Sequence, residues 1–366
     1  MIKTKMPSTG FASKLQQYKQ LIDNDIASYS KQAQKTTLQQ FGANARLETD
    51  AYLSILGRGG KRIRGALVME AYAMSGGTNQ AMILQAARAI EMLHAYILII
   101  DDFQDRSLTR RGGPSAHVLL ADYHRHNSLA GDSDHFGASV ALNAATAGAH
   151  AAQMVLANLD VDAELRLKAI SIINRTMLVT SHGQTGDIIN EVVAKVSVDD
   201  IERVLEWKTA CYTILNPLHV GMVLAGADCH ATDAITDYSM NTGKAFQITD
   251  DLLGIFGNEF QSGKSPMDDI KEGKRTVITA YALDHTTNGN KNFLIQMLGN
   301  IHLTPAEFER CKTLIIASGA DVHAQKRVDA HITAAIASLD EHAHHWSPDG
   351  VQFLRELAQY LSKRTS

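Results

Sequence analysis

Three cysteines, six prolines and two tryptophans are all that the 366-residue chain holds of those types. Cys211, Cys229 and Cys311 are odd in number and far apart. They form neither a disulfide framework nor a zinc-binding pattern, and they fit a reducing cytoplasm. Six prolines are few for this length, and Pro7, Pro114 and Pro266 lie outside the long periodic segments. That sparseness favours helices, because proline removes a backbone donor and clashes with the preceding turn. No charge of one sign dominates: 35 Lys and Arg face 39 Asp and Glu, a formal net charge of −4. A broad polyanion-binding surface, and with it nucleic acid as a partner, is disfavoured, so any phosphate chemistry must rest on local basic clusters. The opening residues lack the apolar run of a signal peptide, and no stretch reaches the ~18–20 apolar residues of a spanning helix. No membrane span is expected.

What is present is an ordinary globular balance, 45% hydrophobic and 20% charged. Helical periodicity covers about 11–56, 61–74, 79–106, 136–158, 163–195, 199–227, 232–257 and 304–362, with loops at 131–134, 257–269 and 286–290. Strand alternation is scarce. The expected architecture is all-α, one domain over residues 1–366, a helical bundle around a central cavity. In the third block Ile83, Ala87, Ile90, His94, Ile97, Asp101 and Asp105 recur at steps of three or four and share one helix face. An apolar stripe running into acids reads as the wall of a cavity with a charged mouth.

Three constellations carry chemistry. Asp101–Asp102–Phe103–Gln104–Asp105, followed by Arg110–Arg111, sets three carboxylates at helical spacing, where they can converge on Mg²⁺, a hard ion that takes oxygen ligands and keeps several waters. Asp250–Asp251 lies inside an otherwise apolar helix, which is costly unless the acids are paired or bind cations. Gly59–Gly60–Lys61–Arg62–Ile63–Arg64 combines glycines that let backbone approach an anion with cations that neutralise it. Each alone reads equally well as a solvated turn or a charged helix start; two acidic pairs on apolar helices suggest two walls of one metal–diphosphate site. His124, His126 and His135, and the cluster His342, His344 and His345, lack the repeated Cys/His spacing of zinc sites and are expected to be solvated.

In order along the chain stand GGKRIRGAL, EMLHAYILIIDDFQDRSLTRRGGPSAH, GQTGDI, WKTACYTILNPL, GKAFQITDDLLGIFG and GKSPMDDIKEGKRT. From about Ser54 to the C-terminus the sequence resembles the trans-isoprenyl diphosphate synthases of the polyprenyl synthetase family. The resemblance implies the isoprenoid synthase fold and a homodimer. It also implies a Mg²⁺-dependent condensation of isopentenyl diphosphate with an allylic diphosphate (dimethylallyl, geranyl or farnesyl). It implies that Gly60, Lys61, Arg64, His94 and Arg111 clamp isopentenyl diphosphate, and that Arg110, Lys208, Lys264 and Lys274 contact the allylic diphosphate. Asp101, Asp102 and Asp105, with Asp250 and Asp251, would hold three Mg²⁺ ions. Gln184 and Asp187 would support the metal's water shell, and Thr209 and Gln247 would place oxygens near the developing cation. Tyr96 would set product length, C20 first and C15 second.

The family often places a final aspartate where Gly254 stands. One carboxylate is thus lost, and restoring it is expected to be tolerated. A terpene cyclase shares the fold and the first acidic motif but uses one diphosphate and has no need of the GGKRIR segment. A non-catalytic regulatory subunit would have lost Asp101, Asp102 and Asp105, which are present.

Overall fold

The computed structural model describes residues 10–193, 195–257 and 265–362. The chain divides into two compact units, one of Met1–Ile170 with Val220–Gly226, the other of Ser171–His219 with Ala227–Ser366.

The first unit is built on α1 (Gly10–Gly57), α2 (Ile63–Met74), α3 (Gln80–Gln104), α4 (Ala116–His126) and α5 (Ser133–Ala157). α1 breaks at Gly42, whose φ of 83° only glycine adopts without cost. Its first half buries Tyr18, Ile22 and Ile26 at helical spacing, and Tyr18 donates to the buried Glu70 of α2 at 2.8 Å. α3 opens on Asn79, whose side chain accepts from the Met82 N–H. It packs on α5, whose buried small residues Ala141, Ala144, Ala145 and Ala152 suit close helix packing. Gly148 leaves room for the Tyr52 ring, whose hydroxyl donates to the Met92 carbonyl at 2.7 Å. After α3 a hairpin pairs β1 (Thr109–Arg110) with β2 (Gly113–Pro114) in antiparallel register, Arg110 opposite Gly113. α3 is, among the described residues, the one helix long and apolar enough to cross a membrane; 61% of that window is buried, as in a core helix.

The second unit takes in the larger part of α6 (Ala163–Val192), then α7 (Val198–Val204), a π-helical segment (Leu205–Leu215), the start of α8 (Asn216–Leu224), and α9 (Cys229–Ala234). It continues with α10 (Thr236–Phe256), α11 (Asp268–Glu272), α12 (Val277–His285), α13 (Asn288–Met297), α14 (Pro305–Ala317), α15 (Ala320–Glu341) and α16 (Pro348–Ser362). α10 is its axis, packed on the π segment, α15 and α16. Its Tyr238 hydroxyl donates to the Leu354 carbonyl at 2.7 Å. The all-α expectation holds. α4 lay outside the expected helices, and α12 and α13 fill a stretch read largely as connection. His124 is not solvated: it is buried, its Nε2 3.1 Å from the Ala130 carbonyl.

Candidate active site

In the first unit the stripe along α3 behaves as its spacing predicts. Ile83, Ala87 and Ile90 are buried, and His94, Ile97, Asp101 and Asp105 are half-buried. Asp102 departs from that face and is fully buried. The hairpin turn explains why. Arg111 (φ 51°) and Gly112 (φ 74°) both sit in the left-handed region, as a tight two-residue hairpin turn requires, and the chain folds back over α3. Arg110 then donates from Nε to Asp102 Oδ1 at 2.6 Å and from Nη2 to Asp101 Oδ2 at 3.3 Å. Although burial opposes its charge, those carboxylates hold the Arg110 guanidinium above its usual range. Arg58, which the sequence did not single out, fixes the hairpin by donating to the Arg110 carbonyl at 3.1 Å and to the Pro114 carbonyl at 2.5 Å. Gly113 makes room for it, since a Cβ there would lie 2.9 Å from its guanidinium carbon.

Arg111 turns the other way. It donates to the Gly59 carbonyl and, through Nη2, approaches His94 Nε2 at 3.2 Å; Arg64 Nη1 approaches the same nitrogen at 3.4 Å. Two guanidiniums can meet one imidazole nitrogen only as donors, so His94 accepts there and is neutral. Burial, then Arg64 and Arg111, push its pKa well below the ordinary 6.5. His94 thus organises the arginines rather than adding a charge. Burial lowers Arg111 to about 10, with Arg62, Arg64 and Arg110 crowding it. A pocket of crowded cations gains by taking an anion. Gly60 (φ 123°) lies against Arg111, where a Cβ would come within 3.0 Å of the guanidinium, and Lys61 is exposed beside it.

In the second unit the remaining residues form linked pairs. Lys208 donates to Asp187 Oδ2 at 2.6 Å, with Gln184 one turn earlier on α6. Thr209 Oγ1 donates to Gln247 Oε1 at 2.7 Å, and Gln247 Nε2 donates to Asp251 Oδ1 at 2.8 Å. Lys208 and Thr209 both lie on the π segment, a form common at functional sites. Pro217 follows it without an N–H for the preceding turn. Burial raises the Asp251 carboxyl to about 8, and the Asp269 and Asp250 carboxylates push it further in that direction. Lys274 Nζ lies 3.8 Å from Asp269 Oδ1 and 2.8 Å from Glu272 Oε2. Lys264 lies outside the described residues.

Asp269 was missed, and it bears on Gly254. A Cβ at 254 would stand 2.1 Å from Asp269 Oδ2, so a carboxylate from α11 fills the space beside that glycine. The signals in the sequence were the acid pair Asp268–Asp269 and the gap at 254. The first-motif carboxylates are engaged by the protein itself: among the described residues no three His, Cys, Asp or Glu side chains form a ready-made metal cage. Arg110 takes up Asp101 and Asp102, while Asp105 caps the helix end. The donors still fit Mg²⁺, which asks for one or two carboxylates per ion and completes its shell with water and phosphate oxygens. Mutually repelling carboxylates around a raised Asp251 are what a divalent cation relieves.

An all-helical chain with acidic clusters and a buried arginine–histidine cluster has the features that an enzyme handling diphosphates with metal ions would need. The comparisons narrow the class. Residues 46–315 match the polyprenyl synthetase model, and the chain belongs to that family. It is 31% identical over 273 residues, 75% of this chain and 77% of the relative, to a geranylgeranyl diphosphate synthase of Saccharolobus solfataricus. It is 30% identical over 312 residues, 83% of this chain and 80% of the relative, to a (2E,6E)-farnesyl diphosphate synthase of Mycobacterium bovis. A geranylgeranyl pyrophosphate synthase of Corynebacterium glutamicum, solved with isoprenyl diphosphate and magnesium, superposes with a TM-score of 0.90. It is 30% identical, and the match covers 96% of this chain and 99% of that one.

Proposed function

We propose that this chain is a Mg²⁺-dependent head-to-tail trans-prenyltransferase of the short-chain type, acting over residues 1–366 as one functional domain. It joins isopentenyl diphosphate to an allylic diphosphate (dimethylallyl, geranyl or farnesyl) and yields C20, with C15 second. The observation that carries this reading is the corner between α3 and the hairpin. There Arg110 and two aspartates lie one residue away from an arginine–histidine cluster in which His94 is neutral and Arg111 is destabilised as a cation.

On this reading Lys61, Arg64 and Arg111 hold isopentenyl diphosphate, and Gly60 and His94 shape their fork. Arg110, Lys208, Lys264 and Lys274 take the allylic diphosphate. Asp101, Asp102 and Asp105 would hold Mg²⁺, and Asp250 and Asp251, with Asp269, a further ion, three in all. When bound, the metal neutralises charge on the departing diphosphate. The allylic C–O bond breaks with its electrons leaving on diphosphate. The double bond of isopentenyl diphosphate attacks the resulting cation, and the departing diphosphate takes the proton lost from the new C5 unit. Thr209 and Gln247 offer oxygens to the cation, and Gln184 and Asp187 order water and Lys208. No protein nucleophile is required. Tyr96, half-buried on α3, lies five residues before Asp101, about 7.5 Å along the axis, and is the floor against which the growing tail stops. The enzyme would act as a homodimer, and the three free cysteines accord with a reducing, cytoplasmic location.

The test is product chromatography after incubating the purified protein with isopentenyl diphosphate, each allylic primer and Mg²⁺. Elongation to C20, abolished by a chelator, supports the reading. Conversion of the allylic diphosphate alone into a hydrocarbon would make it a cyclase. A protein inert until a second chain is added would make it a regulatory subunit.

A further inference from the structure

The segment before α2 is bent more sharply than its glycines explain. Gly59 (φ 78°) and Gly60 (φ 123°) occupy the left-handed half of backbone space, and so does Arg62 (φ 51°), which has a Cβ and gains nothing by it. Such a residue persists only where its surroundings over-determine it. Here they do. The Arg62 side chain is 2% exposed. Its Nε donates to Asp23 Oδ1 at 2.8 Å, Nη1 to Glu91 Oε2 at 3.1 Å and Nη2 to the Leu56 carbonyl at 2.8 Å, so all three nitrogens are used. Glu91, equally buried, turns its other oxygen to the Gly65 N–H at 2.9 Å. That is the third position of α2, which a capping side chain normally serves; Arg62, at the cap position, makes no such bond. Gly65 permits the approach, since a Cβ there would be 3.2 Å from Glu91 Cγ.

One buried carboxylate therefore fixes both the strained arginine and the first turn of the helix that follows. Lys61 and Arg64, which bracket Arg62, are thereby set in direction, and Glu91 also offsets the repulsion on Arg111. A buried ion pair is weak as a source of stability, because apolar residues of similar volume do as well. Its retention at a strained turn needs another reason.

We propose that Arg62 and Glu91 are positioning residues for the isopentenyl diphosphate clamp: their buried ion pair holds the left-handed turn that aims Lys61 and Arg64, and neither touches substrate. This rests on the reading of the clamp given above. The experiment compares Arg62→Met, Glu91→Gln and the paired variant Arg62→Met/Glu91→Gln, with Lys61→Ala as the control for the clamp itself. Glu91→Gln keeps an acceptor for the Gly65 N–H, so it tests the pair even if Arg62→Met does not fold. Each is measured for melting temperature, for kcat, for KM of both substrates, and for binding of isopentenyl diphosphate by calorimetry. A misplacement of about 1 Å costs up to roughly a hundredfold, so the single variants are expected to weaken isopentenyl diphosphate by about ten- to a hundredfold. The KM for the allylic primer should stay within about threefold, since its contacts are left in place. The paired variant should recover melting temperature, both charges being gone, without recovering affinity. Affinity returning together with stability would mean a merely structural role and overturn the proposal, as would equal losses for both substrates. If Lys61→Ala leaves isopentenyl diphosphate binding unchanged, the clamp reading fails; if it weakens binding and the ion-pair variants do not, the inference alone fails.

Discussion

At the scale of single residues, the second acidic motif is decided by a position without a side chain. Gly254 gives its space to the Asp269 carboxylate. A methyl group there meets the far end of a movable side chain, so Gly254→Ala should alter stability by less than about 1 kcal/mol, far below the cost of overpacking a rigid core. It should nonetheless raise the Mg²⁺ concentration for half-maximal activity by about threefold or more, because the displaced carboxylate no longer serves the ion. Asp269→Asn should act in the same direction. Gly254→Asp adds a fourth acid beside Asp250, Asp251 and Asp269, and in Mg²⁺-free buffer should destabilise the protein by about 1–3 kcal/mol. An unchanged Mg²⁺ titration of Gly254→Ala would remove Asp269 from the site.

Asp251 gives a second residue-scale test. Its carboxyl holds a proton in the folded chain up to about 8, against an ordinary 3.8. Between those values the folded state binds more protons than the unfolded one, so this group's contribution to stability is full below the lower value. It is lost as pH rises through the upper one. In Mg²⁺-free buffer the stability of Asp251→Asn should therefore gain on wild type as pH rises across that window, by at most about 1.4 kcal/mol per pH unit. Parallel denaturation curves from pH 4 to 8 would show that Asp251 is ionised throughout.

At the scale of elements, legibility follows periodicity. The face running from Ile83 to Asp105 was readable because it lies on one helix, and helix existence followed the apolar spacing. What escaped reading lies where the chain turns. The tie from Arg110 to Asp102 depends on the hairpin reversal at Arg111–Gly112, and Asp269 reaches Gly254 from a separate short helix. The π segment left no signal beyond Pro217, because its widening is set by neighbours. A Cβ at Gly183 would stand 2.4 Å from Lys208 N and 2.8 Å from the Trp207 carbonyl carbon, both backbone atoms. Gly183→Ala should then push the π segment aside, costing about 1–3 kcal/mol of stability. It should also lower kcat, because Lys208 and Thr209 ride on that segment. Gly186→Ala, one turn on, meets only Val204 Cγ2 at 3.7 Å and is expected to leave activity unchanged while stabilising α6 by up to about 1 kcal/mol. Equal behaviour of the two variants in thermal melts and assays would sink the account of the π segment.

At the scale of the whole molecule, α6 leaves apolar surface that the described residues do not cover. Leu178 is 63% exposed, Ile189 51% and Val192 81%, and with Leu167 at 66% they recur at helical spacing along one stripe. Single exposed apolar residues are ordinary, but a line of them on a long helix marks a surface that associates. On the homodimer reading proposed above, a second copy of this chain would cover it, since like stripes can pair across a two-fold axis without any charge having to be matched. The expected species in solution is a dimer of 39.9 kDa chains. Leu178→Asp together with Ile189→Asp would place two carboxylates on each side of that contact, where they repel and cannot be solvated. Because both positions are exposed in the single chain, helix content by circular dichroism should stay as in wild type. Sedimentation equilibrium should then show the monomer mass at concentrations where wild type is dimeric, as expected when a standard interface of about 1,600 Å² receives unpaired charge at its core. A double variant that remains dimeric would place the contact on another face, and a wild type that sediments as a monomer would leave the stripe on α6 without a partner of its own kind.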